Sequence, residues 1–334
     1  MSQISSDKPA VSTSGSSQSR PPRSPLSWLA AFWKFCRPHT VIGTSLSVLG
    51  LAVMAWARND GAVSGQIHEL LLLILPALIA CLCGNVYIVG LNQIEDVEID
   101  RINKPHLPIA SGEFSRRMGW TIVLISGVLA LGLSAWGGLF LMATVWLSLL
   151  IGTAYSLPPV RLKRFPVWAS LCIFSVRGAI VNLGLYLHFN QKIGNQPSIP
   201  ATVWALTLFV LVFTFAIAIF KDIPDLEGDR RYQISTFTVR LGQRSVFNLA
   251  RWVLTVCYGG MIAAGLLIDG INSVLVIGWH LVALTLFWIV SLKVNLQDQG
   301  SIARFYQFIW KLFYLEYILF PLACYGAQSP ALYL

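Results

Sequence analysis

Charged residues are scarce in this chain. Only 12% of its 334 residues are Asp, Glu, Lys or Arg, whereas 55% are hydrophobic. Soluble globular domains carry about 25% charged residues, and a chain with half that share cannot cover a soluble surface of this size. The composition therefore excludes a soluble protein and indicates one that resides in a lipid bilayer.

Cysteine is scarce as well, and the six residues are scattered without the spacing of a disulfide framework or a zinc site. The chain also has no evident repeat of fixed period. We interpret the cysteines as small apolar side chains: Cys36, Cys81, Cys83, Cys172, Cys257 and Cys324.

The N-terminal segment lacks a long apolar run. Residues 1–27 contain ten Ser and four Pro, and no hydrophobic stretch of the kind found in signal peptides precedes Trp28. A Ser-rich start is also typical of chloroplast transit peptides, which leaves that alternative open. We predict a disordered tail over residues 1–27 and a single transmembrane domain over residues 28–334.

Long apolar runs fill the rest of the chain. A run of about 17–25 mostly apolar residues can cross a bilayer as a helix, and glycines divide the two longest runs, at Gly137–Gly138 and at Asp269–Gly270. We therefore predict an all-α, polytopic membrane protein with about nine transmembrane helices. The predicted spans are 41–57, 70–92, 118–137, 139–157, 167–189, 201–220, 245–268, 271–291 and 308–327.

The basic residues predict the orientation. With nine spans, 21 of the 24 Lys and Arg residues precede the first span or lie on that same side. The positive-inside rule then places the N-terminus in the cytoplasm, or in the stroma of a plastid, and the C-terminus on the opposite side. The formal net charge of +9 follows from this orientation and requires no nucleic-acid partner.

The acidic residues are concentrated in two short windows on the basic side. NQIEDVEID at 92–100 and KDIPDLEGD at 221–229 contain eight of the fifteen Asp and Glu residues. In each window two Asp are four residues apart, Asp96 with Asp100 and Asp225 with Asp229, so each pair shares one face of a helix. Asn92 lies on the face of the first pair.

Oxygen ligands on two facing helices suit Mg²⁺, which proteins usually share with substrate phosphates. We therefore predict a Mg²⁺ site formed by both windows and a substrate that carries a diphosphate. Two solvated acidic loops are the alternative interpretation. The other loops contain few acidic residues, and this favours the metal site.

Basic residues near the windows support a phosphate substrate, because cations stabilise the charge of a leaving diphosphate. For each basic residue taken singly, a role in setting the orientation of the protein in the membrane explains its position as well as a substrate contact does. Tyr155 lies in the same loop region as three of them and is a further candidate. The candidate diphosphate contacts are Arg101, Lys104, Arg161, Lys163, Arg164 and Lys221.

Arg177 lies in the middle of a predicted span, where a charge is costly. It either lines a polar cavity or pairs with a buried carboxylate. Asn182, on the same span, is a further candidate for substrate binding.

His39, at the start of the first span, either contacts an acidic aromatic substrate or anchors the helix at the interface. The aromatic segment 305–320 lines an isoprenoid channel or forms an interfacial belt.

The two windows resemble the NDxxDxxxD and DxxxD motifs of the UbiA superfamily of intramembrane aromatic prenyltransferases, and the resemblance extends over residues 32 to about 325. It implies a helical bundle around a central cavity. It also implies catalytic roles for four carboxylates and for Tyr155, with the metal ligands Asn92, Asp96, Asp100, Asp225 and Asp229. Gln93 departs from the motif, where Asp is usual, and we interpret it as a neutral metal ligand or a substrate contact.

The segments around the motifs resemble the branch of that superfamily that prenylates homogentisate. The resemblance implies transfer of a prenyl group, phytyl by expectation, from its diphosphate to homogentisate with loss of CO₂, giving 2-methyl-6-phytyl-benzoquinol for tocopherol synthesis. It makes Arg177 and His39 candidates for binding the homogentisate carboxylate. The expected location is the thylakoid or plasma membrane of a cyanobacterium, ahead of a plastid envelope.

Three alternatives stay open. Geranylgeranyl and solanesyl transfer to homogentisate use the same motifs. A cation-coupled transporter, a different class of protein, also carries charges within spans, but its ionisable site usually lies near the bilayer midplane. The oligomeric state cannot be predicted from the sequence.

Overall fold

A computed structural model describes residues 24–58, 67–194, 196–232 and 234–327 of the chain. Most of the predicted N-terminal tail therefore lies outside the described residues, although helix α1 begins at Pro25, inside the predicted tail. Within the described ranges the chain is helical and contains no strand.

The helices are joined by short loops. The first seven are α1 (Pro25–Phe35), α2 (Pro38–Ala57), α3 (Ile67–Glu95), α4 (Val97–Asn103), α5 (Pro108–Ser111), α6 (Arg116–Gly137) and α7 (Leu139–Ser156). A 3₁₀ turn at Leu162–Arg164 leads to α8 (Pro166–Phe174), a π-helix at Ser175–Ile180 and α9 (Val181–Lys192). The last six are α10 (Ala201–Phe220), α11 (Leu226–Arg231), α12 (Phe237–Leu241), α13 (Gln243–Leu267), α14 (Ser273–Leu292) and α15 (Gln299–Gly326).

Nine helical stretches among the described residues are long and apolar enough to cross a membrane. Eight are α2, α6, α7, α10, α13, α14, α15 and the continuous stretch Pro166–Lys192; the ninth is Leu71–Glu95 of α3. This confirms the predicted number of spans. The largest difference is α15, which begins at Gln299 rather than at residue 308, because a polar first turn precedes its apolar part.

Both predicted divisions of the long apolar runs are confirmed. Gly138 separates α6 from α7 with a backbone φ of 111°, and Gly270 lies between α13 and α14 with a φ of 79°. Residues with a side chain rarely adopt these left-handed values. The turns therefore depend on glycine at these two positions.

The helices pack around α10, whose span has the largest buried share, 72% against 22% for α14. Its neighbours in the bundle include α13, α15, α8 and the π-helix. On the other side of the bundle, α3 packs along α6, and α2 packs against α15 and α9. The spans therefore enclose a central space.

The two short helices α4 and α11 follow α3 and α10 and lie against each other. The Asn103 side-chain oxygen accepts a hydrogen bond from the Gly228 backbone N–H at 3.0 Å. A Cβ at position 228 would overlap the end of the Asn103 side chain, so the glycine leaves room for this contact between α4 and α11. This contact brings the two acidic windows to the same end of the bundle.

Candidate active site

A cavity of about 1200 Å³ opens between the acidic windows and extends into the bundle. This is larger than most small-molecule sites, which enclose roughly 300–1,000 Å³, and its size suits two substrates. Thirteen of the sixteen predicted site residues line it: His39, Asn92, Asp96, Asp100, Lys104, Tyr155, Arg161, Lys163, Arg164, Arg177, Lys221, Asp225 and Asp229.

The two acidic motifs have the same local geometry. Asp96 lies at the junction of α3 and α4, and Asp225 is the residue before α11. The backbone N–H of Asp100 donates to the Asp96 carbonyl at 2.8 Å, and that of Asp229 donates to the Asp225 carbonyl at 3.1 Å. Because these bonds keep the helical spacing through each junction, both Asp of a pair face the cavity, as predicted.

Basic side chains hold the first motif. The Asp96 carboxylate forms an ion pair with Lys163 Nζ at 2.7 Å and accepts a hydrogen bond from an Arg161 Nη at 3.0 Å. Asn92 Nδ2 donates to Asp96 Oδ2 at 2.9 Å, and Asn92 Oδ1 accepts from an Arg37 Nη at 3.3 Å. The loop that follows α7 is thereby tied to the end of α3.

Lys104 links the two motifs. It lies just after α4, and its Nζ is 2.5 Å from Asp225 Oδ2. Lys221, at the end of α10, pairs with Asp222 at 2.9 Å, and Asp222 also lines the cavity. The cavity mouth is therefore a network of alternating acidic and basic side chains.

Burial raises the pKa of Asp100, while Arg37 and Lys104 act in the opposite direction. Burial, together with repulsion from Asp225 and Asp222, raises the pKa of Asp229 from 3.8 to about 7. Carboxylates that are desolvated and crowded in this way gain from an additional cation.

The donor set suits Mg²⁺. Asn92, Asp96, Asp100, Asp225 and Asp229 offer only oxygen ligands toward the cavity, and Asp100 Oδ2 is buried without a hydrogen-bond partner. Oxygen donors of this kind are the ligands that Mg²⁺ prefers. Within the described residues, no three His, Cys, Asp or Glu side chains already converge as a metal-binding group. The carboxylates therefore line one cavity from two sides without forming a closed cage.

Gln93 lies outside the cavity lining, in contrast to the interpretation as a metal ligand or substrate contact. Its side chain is 1% exposed, and Nε2 donates to the Phe35 carbonyl at 2.7 Å. That carbonyl belongs to the last turn of α1, where helices leave carbonyl groups without an internal partner. Gln93 therefore caps the end of α1.

Two other predicted site residues also lie outside the cavity lining. Arg101 is exposed and pairs with Glu98 at 2.8 Å on the surface of α4. Asn182 is fully buried, donates to the Gly178 carbonyl at 2.8 Å and accepts from the Tyr317 hydroxyl at 2.6 Å. Both side chains therefore have protein partners where a substrate contact was predicted.

Arg177 reaches the cavity from the π-helix. Its guanidinium lies 5.4 Å from the ring centre of Trp310 and 5.7 Å from that of Phe313. Among the described residues no carboxylate pairs with it, and the buried Glu316 instead lies 3.1 Å from His280. The alternative of a buried ion pair is thus wrong for Arg177, and the cavity-lining prediction is confirmed.

The aromatic segment 305–320 contributes Tyr306 and Trp310 to the cavity. The His39 ring packs on Trp310 with ring centres 4.9 Å apart, and the Tyr314 hydroxyl donates to the His39 carbonyl at 2.8 Å. These contacts attach α15 to the start of α2 beside the cavity mouth.

Arg37 was predicted only as an orientation charge, yet it contacts Asn92. Arg37 and Arg161 have backbone φ values of 54° and 37° and are the two non-glycine residues with positive φ in the described ranges. Such strain is often found at functional sites, and both arginines contact the first motif. Backbone strain has no signature in a single sequence, so no pattern could have identified Arg37.

Three comparisons with known proteins point to one family. The model of the UbiA prenyltransferase family matches residues 42–312. The chain is 52% identical over 300 residues to homogentisate phytyltransferase of Synechocystis sp., covering 89% of this chain and 96% of that protein. It is 40% identical to homogentisate solanesyltransferase of Arabidopsis thaliana, covering 87% and 76%.

Solved structures share the fold. A UbiA homolog from Archaeoglobus fulgidus bound to GPP and Mg²⁺ superimposes with a TM-score of 0.57 at 15% identity, covering 89% of this chain and 99% of that one. At this identity the likeness concerns the helical arrangement alone.

We predict that Gln93→Leu loosens α1 and leaves Mg²⁺ binding unchanged. Loss of the amide leaves the buried Phe35 carbonyl without its donor, at a cost of about 1–3 kcal/mol. Trypsin should then cleave faster after Lys34, which is followed by Phe35, while Mn²⁺ competition should give the wild-type Mg²⁺ affinity. Asn92→Leu is the contrasting variant and should weaken Mg²⁺ binding. Weaker Mg²⁺ binding in Gln93→Leu, with α1 still protected, would contradict this assignment.

Proposed function

The chain belongs to the UbiA prenyltransferase family, and we propose that it transfers a phytyl group from phytyl diphosphate to homogentisate, with loss of CO₂. One observation carries the proposal: two acidic motifs and a larger number of basic side chains surround the mouth of a single cavity whose interior is mostly apolar. The 52% identity to a homogentisate phytyltransferase supports the choice of both substrates.

The diphosphate binds at the mouth. Asn92, Asp96, Asp100, Asp225 and Asp229 would hold Mg²⁺, which when bound neutralises charge on the diphosphate as it leaves. Lys104, Arg161, Lys163, Arg164 and Lys221 surround the same space and donate hydrogen bonds to the phosphate oxygens. Because these groups are positioned before the reaction, they stabilise the developing negative charge without reorganising.

The prenyl tail lies in the interior of the cavity. Ile88, Val145, Leu149, Ile173 and Val176 line this part, and their apolar surfaces exclude water, which would otherwise capture the allylic cation. Along α7 the lining extends from Tyr155 to Thr144, about 16 Å at 1.5 Å per residue. This depth favours the shorter phytyl and geranylgeranyl tails over the much longer solanesyl tail.

The reaction replaces one ring C–H bond of homogentisate. The allylic carbon bonds to the ring carbon next to a hydroxyl group as its C–O bond to diphosphate breaks, and that ring carbon loses its proton. The side chain loses CO₂ and gains one proton to become the methyl group of 2-methyl-6-phytyl-benzoquinol. The proton released by the ring balances the proton taken up by the side chain. No electrons pass to or from another molecule, so the site needs no oxidant or reductant. The Tyr155 ring, at the cavity mouth, is positioned to stabilise the cation with its face.

We expect membranes that contain the protein to convert homogentisate and phytyl diphosphate to the prenylated quinol in the presence of Mg²⁺. Phytyl, geranylgeranyl and solanesyl diphosphates should be compared in one assay with labelled homogentisate. Phytyl diphosphate should give the most product, and chelation of Mg²⁺ should stop the reaction. Absence of a prenylated quinol with every donor would refute the function, whereas a preference for solanesyl diphosphate would refute only the tail.

We predict that Asp96→Ala and Asp229→Ala each lower turnover by about 100-fold or more, because each removes a charged ligand where charge develops during the reaction. Asp269→Ala is the matched control, since Asp269 is exposed in the turn between α13 and α14 and should leave turnover unchanged. The amount of each variant in the membrane should be measured alongside. Near-normal turnover in either motif variant would rule out the proposed metal site.

The protein is a multi-pass integral membrane protein. We propose that its N-terminus and the cavity mouth face the cytoplasm, or the stroma in a plastid, in the thylakoid or plasma membrane of a cyanobacterium. Reporter domains fused to the two ends should then lie on opposite sides of the membrane. Reporters on the same side would contradict nine crossings of the bilayer.

A further inference from the structure

Arg177 is a half-buried cation within a span, and the diphosphate site does not use it. It lies in the stretch Pro166–Lys192, the fifth candidate span. Two aromatic rings contact its guanidinium, but cation–π contacts contribute only about 0.5–2 kcal/mol. Within the described part of the chain no carboxylate or other hydrogen-bond acceptor satisfies its N–H groups. A charge held in this way at the edge of a cavity indicates an anionic ligand.

The position of the guanidinium separates it from the diphosphate contacts. It lies beside Gly43, where an added Cβ would be 3.0 Å from Arg177 Nη1. Gly43 is five residues into α2, roughly 7.5 Å below the helix start at 1.5 Å per residue. The basic residues of the mouth lie above this level, in the loops and, for Lys221, at the end of α10. The anion at Arg177 therefore belongs to a second molecule, bound deeper than the diphosphate.

The backbone is shaped to present this side chain. Ser175–Ile180 forms a π-helix between two α-helical segments, and the Val181 N–H donates to the Val176 carbonyl five residues earlier. Single π-turns of this kind are frequently found at functional sites. Gly178 lets the turn approach α10, because a Cβ there would lie 2.6 Å from the Leu211 Cα.

Two buried polar residues brace the π-helix. Asn182 donates to the Gly178 carbonyl at 2.8 Å, and the Tyr317 hydroxyl donates to Asn182 at 2.6 Å. Tyr317 is on α15, the helix that also carries Trp310 and Phe313. Helix α15 therefore makes both contacts: Tyr317 supports the π-helix through Asn182, and the Trp310 and Phe313 rings pack on the Arg177 guanidinium.

We propose that Arg177 binds the carboxylate of the aromatic acceptor and selects arylacetates over neutral phenols, with Asn182 and Tyr317 as positioning residues. This inference rests on the proposed function, since it assigns the acceptor end of the same cavity. A planar guanidinium matches a carboxylate with two parallel hydrogen bonds. With its carboxylate on Arg177, the acceptor ring extends upward toward the diphosphate, where the allylic carbon is released.

The test compares homogentisate with methylhydroquinone, the same ring without the carboxylate. Wild-type protein should show a KM about 10- to 100-fold higher for methylhydroquinone, the range expected for a charge-assisted hydrogen-bonded pair. Arg177→Met should raise the KM for homogentisate by a similar factor and leave that for methylhydroquinone unchanged. The KM for the prenyl diphosphate should stay within about threefold of wild type.

If Arg177→Met fails to insert into the membrane, Arg177→Lys takes its place in the test. Lysine keeps the positive charge but lacks the planar guanidinium that can form two parallel hydrogen bonds. It should retain part of the preference for homogentisate. Arg251→Met is the matched control, since Arg251 also stacks on a tryptophan, with its guanidinium 4.2 Å from the Trp288 ring centre, but lies outside the cavity lining. Its acceptor preference should equal that of wild type.

The positioning role is tested by Tyr317→Phe. Loss of the hydroxyl should raise the KM for homogentisate by about 2- to 10-fold, with the KM for methylhydroquinone and for prenyl diphosphate unchanged. Tyr258→Phe is the matched control, because the Tyr258 hydroxyl is buried without a hydrogen-bond partner. A purely structural role for Tyr317 would alter all three constants together.

The outcomes separate this inference from the proposed function. If wild-type protein prenylates homogentisate and methylhydroquinone with equal KM, or if Arg177→Met keeps the wild-type preference, the carboxylate site is wrong and the function stands. If wild-type protein prenylates neither acceptor with any donor, the proposed function itself fails.

Discussion

The cost of holding charge beside hydrocarbon governs the arrangement of this protein. Carboxylates are expensive within a bilayer unless cations compensate them, and here four Asp side chains of two motifs occupy one end of the bundle. Lys104, Lys163 and Arg161 contact them directly. The short helices α4 and α11, which follow two spans, carry Asp100 and Asp229 at this end of the bundle.

The same constraint divides the cavity. Its mouth combines acidic and basic side chains suited to a metal ion and a diphosphate, and its interior is mostly apolar and suited to a prenyl tail. A charge deeper in the bundle needs its own compensation, and Arg177 receives part of it from Trp310 and Phe313. A water-excluding interior between two charged regions is the environment that a carbocation requires, since nearby dipoles stabilise the cation and bulk water is kept away.

Much of this could be predicted from the sequence. The spans follow from the length of apolar runs, and the motif geometry follows from a spacing of four residues that survives the junctions at Asp96 and Asp225. Gln93 and Asn182 show where such prediction fails. Both are polar residues next to recognisable site residues, and helical periodicity alone does not distinguish a side chain that faces a cavity from one that faces a neighbouring helix. Gln93 faces the end of α1, and Asn182 faces a carbonyl of the π-helix and a tyrosine of α15.

The sequence by itself determined the membrane class, the nine spans and the ligand chemistry of the two acidic windows, because these depend on local composition and on spacing within one helix. Only the tertiary structure decided which polar side chains meet across helices: Lys104 with Asp225, Arg37 with Asn92, and Arg177 with the aromatic face of α15. These contacts join residues far apart in the chain, and they depend on how helices rotate and approach one another. The approach is set by close packing at positions such as Gly178 and Gly228, whose effect appears only when the neighbouring helix is in place.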